Sequence, residues 1–206
     1  MGRSVIGNGQ LYFGGDIVAT RKLIIAAWIG LLLGAPCAFA QDALILSVGA
    51  MHLAHDHQTV AGAGSALQAG ASGAYSIAWE QRHYNGIAYG AEYLIYNNTI
   101  QSANANGSLT SRLLMFTFKK YHRPWAHTYP FVGVSAGLVD TSVPGASGGT
   151  GLGPALGING GVEFEWAHSI GFYTELRGLY APGGDIHGTR VNVSGIGLYA
   201  GLSLLF

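Results

Sequence analysis

Charge is the scarcest commodity in this sequence. Only 10% of its 206 residues are Asp, Glu, Lys or Arg, against roughly 25% in an ordinary soluble domain. Formal net charge is zero, so no basic surplus is on offer to nucleic acid. Cysteine is nearly missing as well: Cys37 stands alone, which excludes an internal disulfide framework and a Cys-cluster metal site. Long apolar runs are also lacking, and nothing after residue 40 approaches the ~20 unbroken apolar residues of a transmembrane helix. Yet 49% of the chain is apolar, with 33 Gly and 11 Tyr. A disordered chain is charged and poor in aromatics, which this is not. What remains is the profile of a β-rich membrane protein.

The N-terminus fits export. Arg21-Lys22 precedes LIIAAWIGLLLGAPCAFA, which ends in Ala38-Phe39-Ala40 before Gln41-Asp42. A positive start, an apolar middle and small residues at A-x-A make a cleavable secretory signal of the Sec type, cut after Ala40. The Gly34-Ala35-Pro36 break argues against a retained anchor. Residues 1–20 form a long lead-in, and a start downstream of Met1 is the alternative. Cys37 lacks the Leu three residues earlier that a lipoprotein signal needs, and it leaves with the signal. The expected organisation is a signal over 1–40 and one domain over 41–206. That domain holds Arg82, Arg112, Lys119, Lys120, Arg123, Arg177 and Arg190 against nine Asp and Glu.

Period-two alternation, interrupted by turn-rich segments, predicts strands over 44–53, 73–83, 87–96, 111–121, 129–138, 155–166, 171–180 and 193–206. Each is close to the ~9–11 residues that a tilted transmembrane strand needs. The connections alternate in length. YNG, HRPWAHT and AHSI are short, whereas NNTIQSANANGSL and VDTSVPGASGGTGLGP are long and rich in small polar residues. Short turns on one side and long loops on the other describe an eight-stranded antiparallel transmembrane β-barrel with periplasmic turns and extracellular loops. Closure follows because lipid offers no partners to an open backbone edge. Parity puts Tyr75, Ile77, Trp79, Ile87, Tyr89, Ala91, Tyr93, Ile95, Leu156, Ile158, Val162, Phe164 and Trp166 outside. Glu80, Arg82, Glu92, Asn159, Glu163 and Glu165 then fall inside.

The final strand carries Leu198, Ala200, Leu202, Leu204 and Phe206 on one face. With the YPFVGVSAG (129–137) and GGVEFEW (160–166) stretches, it resembles the small eight-stranded outer-membrane barrels of the OmpA transmembrane-domain and OmpX type. The resemblance covers nearly all of 41–206. It implies location in a Gram-negative-type outer membrane, and recognition of Phe206, Leu204 and Leu202 by the barrel-assembly machinery. Unlike the OmpA pattern, no peptidoglycan-binding domain is expected after the barrel, so a cell-wall tether is not implied.

The interior charges are the main chemical feature. Hairpins centred near Gly86 and Ser169 would set Glu80 opposite Glu92 and Glu163 opposite Glu175, with Arg82 and Arg177 beside them. Glu165 and Lys119 join the same lumen. Facing like charges repel, so a cation must bridge them or a proton must stay. The plain reading is a salt-bridged plug, since eight strands leave a lumen that side chains can fill. The sharper one is a gate for ions or small solutes. A carrier of hydrophobic compounds would need an apolar lumen, and the five glutamates argue against it.

Other features rank lower. His52, His55, Asp56 and His57 are weak metal candidates with no regular spacing, and no metal or other cofactor is expected. A lipid A-modifying enzyme would need Ser and His at the outer leaflet; His168-Ser169 falls in a periplasmic turn. Tyr84, Tyr121, Trp125, Tyr129 and Trp166 would form an inner aromatic belt, with Tyr180 in the outer one. Lys120 and Arg123 would snorkel to headgroups, and Arg112 would meet a lipid phosphate. The expected protein is a non-enzymatic monomer. Its partners are outer-membrane lipid, lipopolysaccharide, the assembly machinery and any extracellular ligand of the loops.

Overall fold

The structure, a computed structural model, describes residues 40–54, 57–60, 65–68, 72–102, 106–122, 127–142, 150–183, 185–186 and 189–206. The signal expected over 1–40 lies outside them except for Ala40. Eight long strands form the body: β1 (Ala40–Leu53), β2 (Ser72–His83), β3 (Ile87–Ser102), β4 (Asn106–Tyr121), β5 (Thr128–Ser142), β6 (Thr150–Ala167), β7 (Ile170–Tyr180) and β8 (Gly195–Leu205). Each pairs antiparallel with its neighbours in sequence, and β1 pairs with β8 to close the ring. Closure leaves the barrel wall without an edge.

Alternation sorts the two faces as expected. Ile196, Leu198, Leu202 and Leu204 on β8 are exposed, while Tyr199, Ser203 and Leu205 are buried. On β1 the outward residues run from Asp42 to His52 and are apolar in between. The ten residue steps from Asp42 to His52 span about 33 Å of strand and rise roughly 25 Å at the usual tilt, the height of a lipid-facing apolar band.

Three features depart from the sequence reading. The outer ends of β3, β4, β5 and β6 run beyond the expected 96, 111, 138 and 155, because ladder pairing continues through polar residues that apolar alternation does not register. Thr110 Oγ1, for instance, donates to Asn97 Oδ1 at 2.8 Å on the outward face. A short hairpin of His57–Val60 and Ser65–Gln68 extends this wall by pairing with Ile100–Ser102. At the other end of the order, β8 begins at Gly195 rather than 193.

The turns set the register. Gly86 N donates to His83 O at 2.9 Å and Gly86 has φ 81°. This is a three-residue hairpin loop in which the last residue must be left-handed, a place for Gly. Its axis falls at Asn85, so Arg82 pairs with Ala88 and Glu80 with Gly90. In the β6–β7 hairpin, an irregularity between Glu165 and Ala167 shifts pairing by one further residue. An extra residue of this kind is a β-bulge.

Candidate functional site

These registers overturn the facing carboxylates. Glu80 lies opposite Gly90 and Ala43, and Glu92 opposite Ala78 and Met115. Glu175 lies opposite Gly161 and Tyr199, and Glu163 opposite Tyr173 and Tyr129. The physical reason is the turn axis: each hairpin centre sits about one residue before the expected one, which moves each pairing by two. Most of these long charged side chains therefore have a small residue beside them on the wall, which leaves room to reach across the lumen.

Across the lumen they form one alternating chain. Arg82 donates to both oxygens of Glu163, at 2.9 and 2.8 Å, and to Glu80 at 3.3 Å. Lys119 pairs with Glu80 and lies 3.6 Å from Glu175. Arg177 donates through Nε to Glu175 at 2.7 Å and through Nη2 to Glu92 Oε1 at 3.0 Å. The order is Glu163, Arg82, Glu80, Lys119, Glu175, Arg177, Glu92, with every cation between two carboxylates. No like charges need to touch. The four chain carboxylates, Lys119 and Arg177 are all buried. Groups of this kind persist in a low-dielectric interior only when paired and hydrogen-bonded.

Aromatic and polar side chains complete the set. Tyr121 OH donates to Glu80 at 2.9 Å, Tyr173 OH donates to Glu175, and Lys119 Nζ donates to Tyr173 at 3.0 Å. Asn159 Nδ2 donates to Glu175 at 2.9 Å and Ser203 Oγ to Glu163 at 2.7 Å. Each cation also faces a ring: Arg82 over Tyr121 at 4.7 Å, Lys119 near Phe131 and Tyr173 at 5.0 Å, and Arg177 over Tyr199 at 5.1 Å. Such contacts gain strength once desolvated. A Cβ at Gly133 would collide with Lys119 and Asn159, so the wall there needs glycine to admit them.

Parity alone would have found Tyr121, Tyr173 and Ser203. Tyr121 is therefore no belt residue. It shares the inward parity of Lys119 and lies buried in the lumen. Tyr129 also turns inward, donating from its OH to Glu165 Oε2 at 2.7 Å. Tyr84, Trp166 and Tyr180 are exposed as a belt requires; Trp125 and Arg123 lie outside the described residues. Lys120 caps the neighbouring turn, donating to Asn85 O at 2.6 Å. Arg112 faces outward with Asp140 directly opposite, Nη1 to Oδ2 at 4.0 Å. Register supplies this cation with a carboxylate where a lipid phosphate was expected.

The lumen is not polar throughout. Reading inward positions from the turn end, β4 gives Tyr121, Lys119 and Thr117, then Met115, Leu113 and, past Ser111, Leu109. β3 changes from Glu92 to Leu94, and β7 from Arg177 to Leu179. Beyond that level Met51, Leu53, Leu94, Tyr96, Leu109, Leu113, Met115, Val139 and Leu179 form one buried apolar cluster. The five glutamates thus say nothing about the outer half.

Residues 181–183 and 191–194 close that half from above. Val191 and Val193 belong to the same apolar cluster. Tyr96 OH donates to Val193 O at 2.9 Å, and Val193 N to Ala181 O at 2.9 Å. Ser194 ties both sides: its Oγ accepts from Ala181 N at 2.8 Å, and its O accepts from Ala54 N at 2.9 Å. Gly183, with φ 69°, sits where any side chain would strike the Val191 carbonyl. These residues are a strap across the outer mouth, where the sequence reading had a long loop running into a strand from Val193.

The remaining candidates stay dispersed. His52 ends β1 pointing away from the lumen, His55 and Asp56 lie outside the described residues, and of His57 only the backbone is described. Among the described residues no cluster of His, Cys, Asp and Glu has metal-binding geometry. His168 and Ser169 are exposed in the β6–β7 turn, at the opposite end from the long loops. Of the two carboxylates just upstream, Glu163 is held in the lumen by Arg82 and Glu165 accepts from the Tyr129 hydroxyl.

The architecture is that of the small eight-stranded outer-membrane barrels. No protein-family model and no curated protein sequence matches the chain. Solved structures match the fold. Neisserial surface protein A (NspA) superposes with a TM-score of 0.62 at 16% identity, covering 81% of this chain and 97% of its own. Ail of Yersinia pestis, in complex with the heparin analogue sucrose octasulfate, gives 0.53 at 9% identity, covering 82% of this chain and 99% of its own. OprG from Pseudomonas aeruginosa gives 0.52 at 10% identity, covering 82% and 96%.

Proposed function

We propose that this chain is a non-enzymatic outer-membrane barrel with a sealed lumen, acting through its outer loops as a structural or surface-interaction protein. The observation that carries this reading is the apolar outer half of the lumen, packed with side chains and strapped across the top. An ion crossing it would have to shed its water among groups that cannot replace it. The lower half would be closed by the salt-bridged chain. Charge exchange within that chain, as a gate needs, would open no path while the upper half stays packed.

Export by the signal over 1–40, recognition of Phe206, Leu204 and Leu202 by the assembly machinery, a monomeric state, and contact with outer-membrane lipid and lipopolysaccharide belong to the same proposal. The outer segments narrow the extracellular ligand. Residues 54–71, 97–110, 140–154 and 181–194 contain Arg190 as their one Lys or Arg, against Asp56, Asp140 and Asp185. A sulfated polyanion like the one seated on Ail needs a basic patch, so a neutral or weakly charged partner suits these loops better.

Planar-bilayer recording of refolded 41–206 tests the reading. A silent bilayer from protein shown to be folded by heat modifiability is expected. Regular conductance steps would move the assignment to a narrow pore.

A further inference from the structure

The strap meets the wall beside a polar shelf that its own contacts do not explain. Tyr96, whose hydroxyl holds Val193 O, lies directly opposite Ser111 on β4, and Ser111 lies directly opposite Thr141 on β5. Asn98 is the next inward residue of β3 beyond Tyr96. Asn98, Ser111 and Thr141 are at most 2% exposed. Yet Ser111 Oγ, Thr141 Oγ1 and both polar atoms of the Asn98 amide have no hydrogen-bond partner among the described residues. An opposed hydroxyl pair nearer the turn end behaves differently. Ser47 and Ser76 also face each other across one ladder, and they bond to each other at 2.8 Å. A buried polar group without a partner bears its whole desolvation penalty, and native interiors hold few of them.

We infer that the shelf is a site for buried water, and that the strap is seated on this water as well as on Tyr96. The guest has to be uncharged. Among the described residues the inward charges end at Glu92 and Arg177, and β3 and β7 continue beyond them with Leu94 and Leu179. It also has to give and accept, because each hydroxyl can do either and the Asn98 amide carries donors beside its acceptor. Water meets both conditions, and a buried molecule bridges about three polar groups that lack other partners. Directly beneath the shelf, Leu113 and Val139 belong to the apolar cluster, so the water goes no deeper. The outer seal therefore has a hydrated lip at the strap and a dry floor below it.

The test joins a crystal structure of the 41–206 barrel, at a resolution that shows ordered water, to hydrogen exchange at the Val193 amide. Water within hydrogen-bond reach of Ser111 Oγ and Thr141 Oγ1 is expected. Thr141→Val keeps the shape and takes one partner from that water, so exchange at Val193 should quicken about threefold or more, the scale of a weakened hydrogen bond. On a dry shelf the same substitution removes an unpaired group, and exchange would slow. Ser47→Ala, in the pair that closes on itself, should leave Val193 unmoved. Heat-modifiable migration shows whether each variant is a barrel, and Ser111→Ala carries the same expectation if Thr141→Val is not. A dry shelf, a direct Ser111–Thr141 bond or an ion in place of water would overturn the inference. So would exchange that is slower or unchanged in Thr141→Val, or quickened equally by Ser47→Ala. Each readout concerns the strap alone, so failure leaves the sealed-barrel reading standing.

Discussion

The two halves of the lumen solve one problem by opposite chemistry. An eight-stranded ring has an interior that side chains must fill. The turn half fills it with seven charges in strict alternation, clamped by Tyr121, Tyr173 and Asn159. The loop half fills it with Leu, Met and Val, and brings in Val191 and Val193 from a strap. Ion pairs demand one geometry, so the lower half fixes which side chain meets which. Apolar packing is tolerant of exchange among residues of similar size, so the upper half specifies less and excludes water more completely. One half supplies order and the other supplies the seal.

The contrast breaks most severely at Arg177. Arg177→Met leaves Glu92 and Glu175 buried without their shared cation, and losing one partner of a buried pair costs about 3–5 kcal/mol. Denaturant unfolding of the refolded barrel, followed by heat-modifiable migration, is expected to show a loss of that order; an unchanged midpoint would mean the chain is decorative. Next comes Leu113→Ala in the apolar half, with an expected loss of about 2–4 kcal/mol from lost burial and the cavity left behind. Because no charge is stranded, a Leu113→Met substitution should recover most of it, whereas Arg177→Lys, a shorter point charge that loses the two-sided reach, should not recover Arg177.

Smaller effects sharpen the boundary. Tyr96→Phe removes the hydrogen bond to Val193 O, worth about 1 kcal/mol, and should quicken hydrogen exchange at the Val193 amide while leaving Tyr173 and Glu175 amides unmoved. Slow exchange at Val193 in the variant would place the hold on the strap elsewhere. The smallest effect is expected at Arg112→Ala. Its partner Asp140 is 4.0 Å away and Arg112 is about half exposed, so the loss should stay below about 1 kcal/mol. A larger one would show that the pair is held in a drier setting than its exposure implies.

The ring of eight strands was legible because lipid and lumen impose opposite demands on alternate residues, and Leu198, Leu202 and Leu204 against Tyr199 and Ser203 record both. Which charges meet was not legible. Partner choice depends on register, and register depended on a left-handed Gly86 and on a bulge near Trp166, neither visible as composition. The division of the lumen could have been read. Tyr121, Lys119, Thr117, Met115, Leu113 share one parity, and the change from charged to apolar lies in plain order along β4. It was hidden by treating the glutamates as representative of the whole interior. The strap was beyond pattern reading, since Val191 sits in a stretch whose glycines mark it as a loop and Val193 reads as the start of the last strand.

The central claim is that two seals stand in series, so weakening the lower one leaves the upper one closed. The most direct measurement is single-channel recording of the Arg82→Ala/Arg177→Ala double variant, refolded and verified as a barrel, in a planar bilayer. The account predicts that it stays silent, as the parent does, and begins to conduct only when residues 181–194 are also replaced by a short turn and Leu113 and Leu179 are cut to Ala. Discrete conductance steps from the charge variant alone would contradict it, and would make the alternating chain the gate.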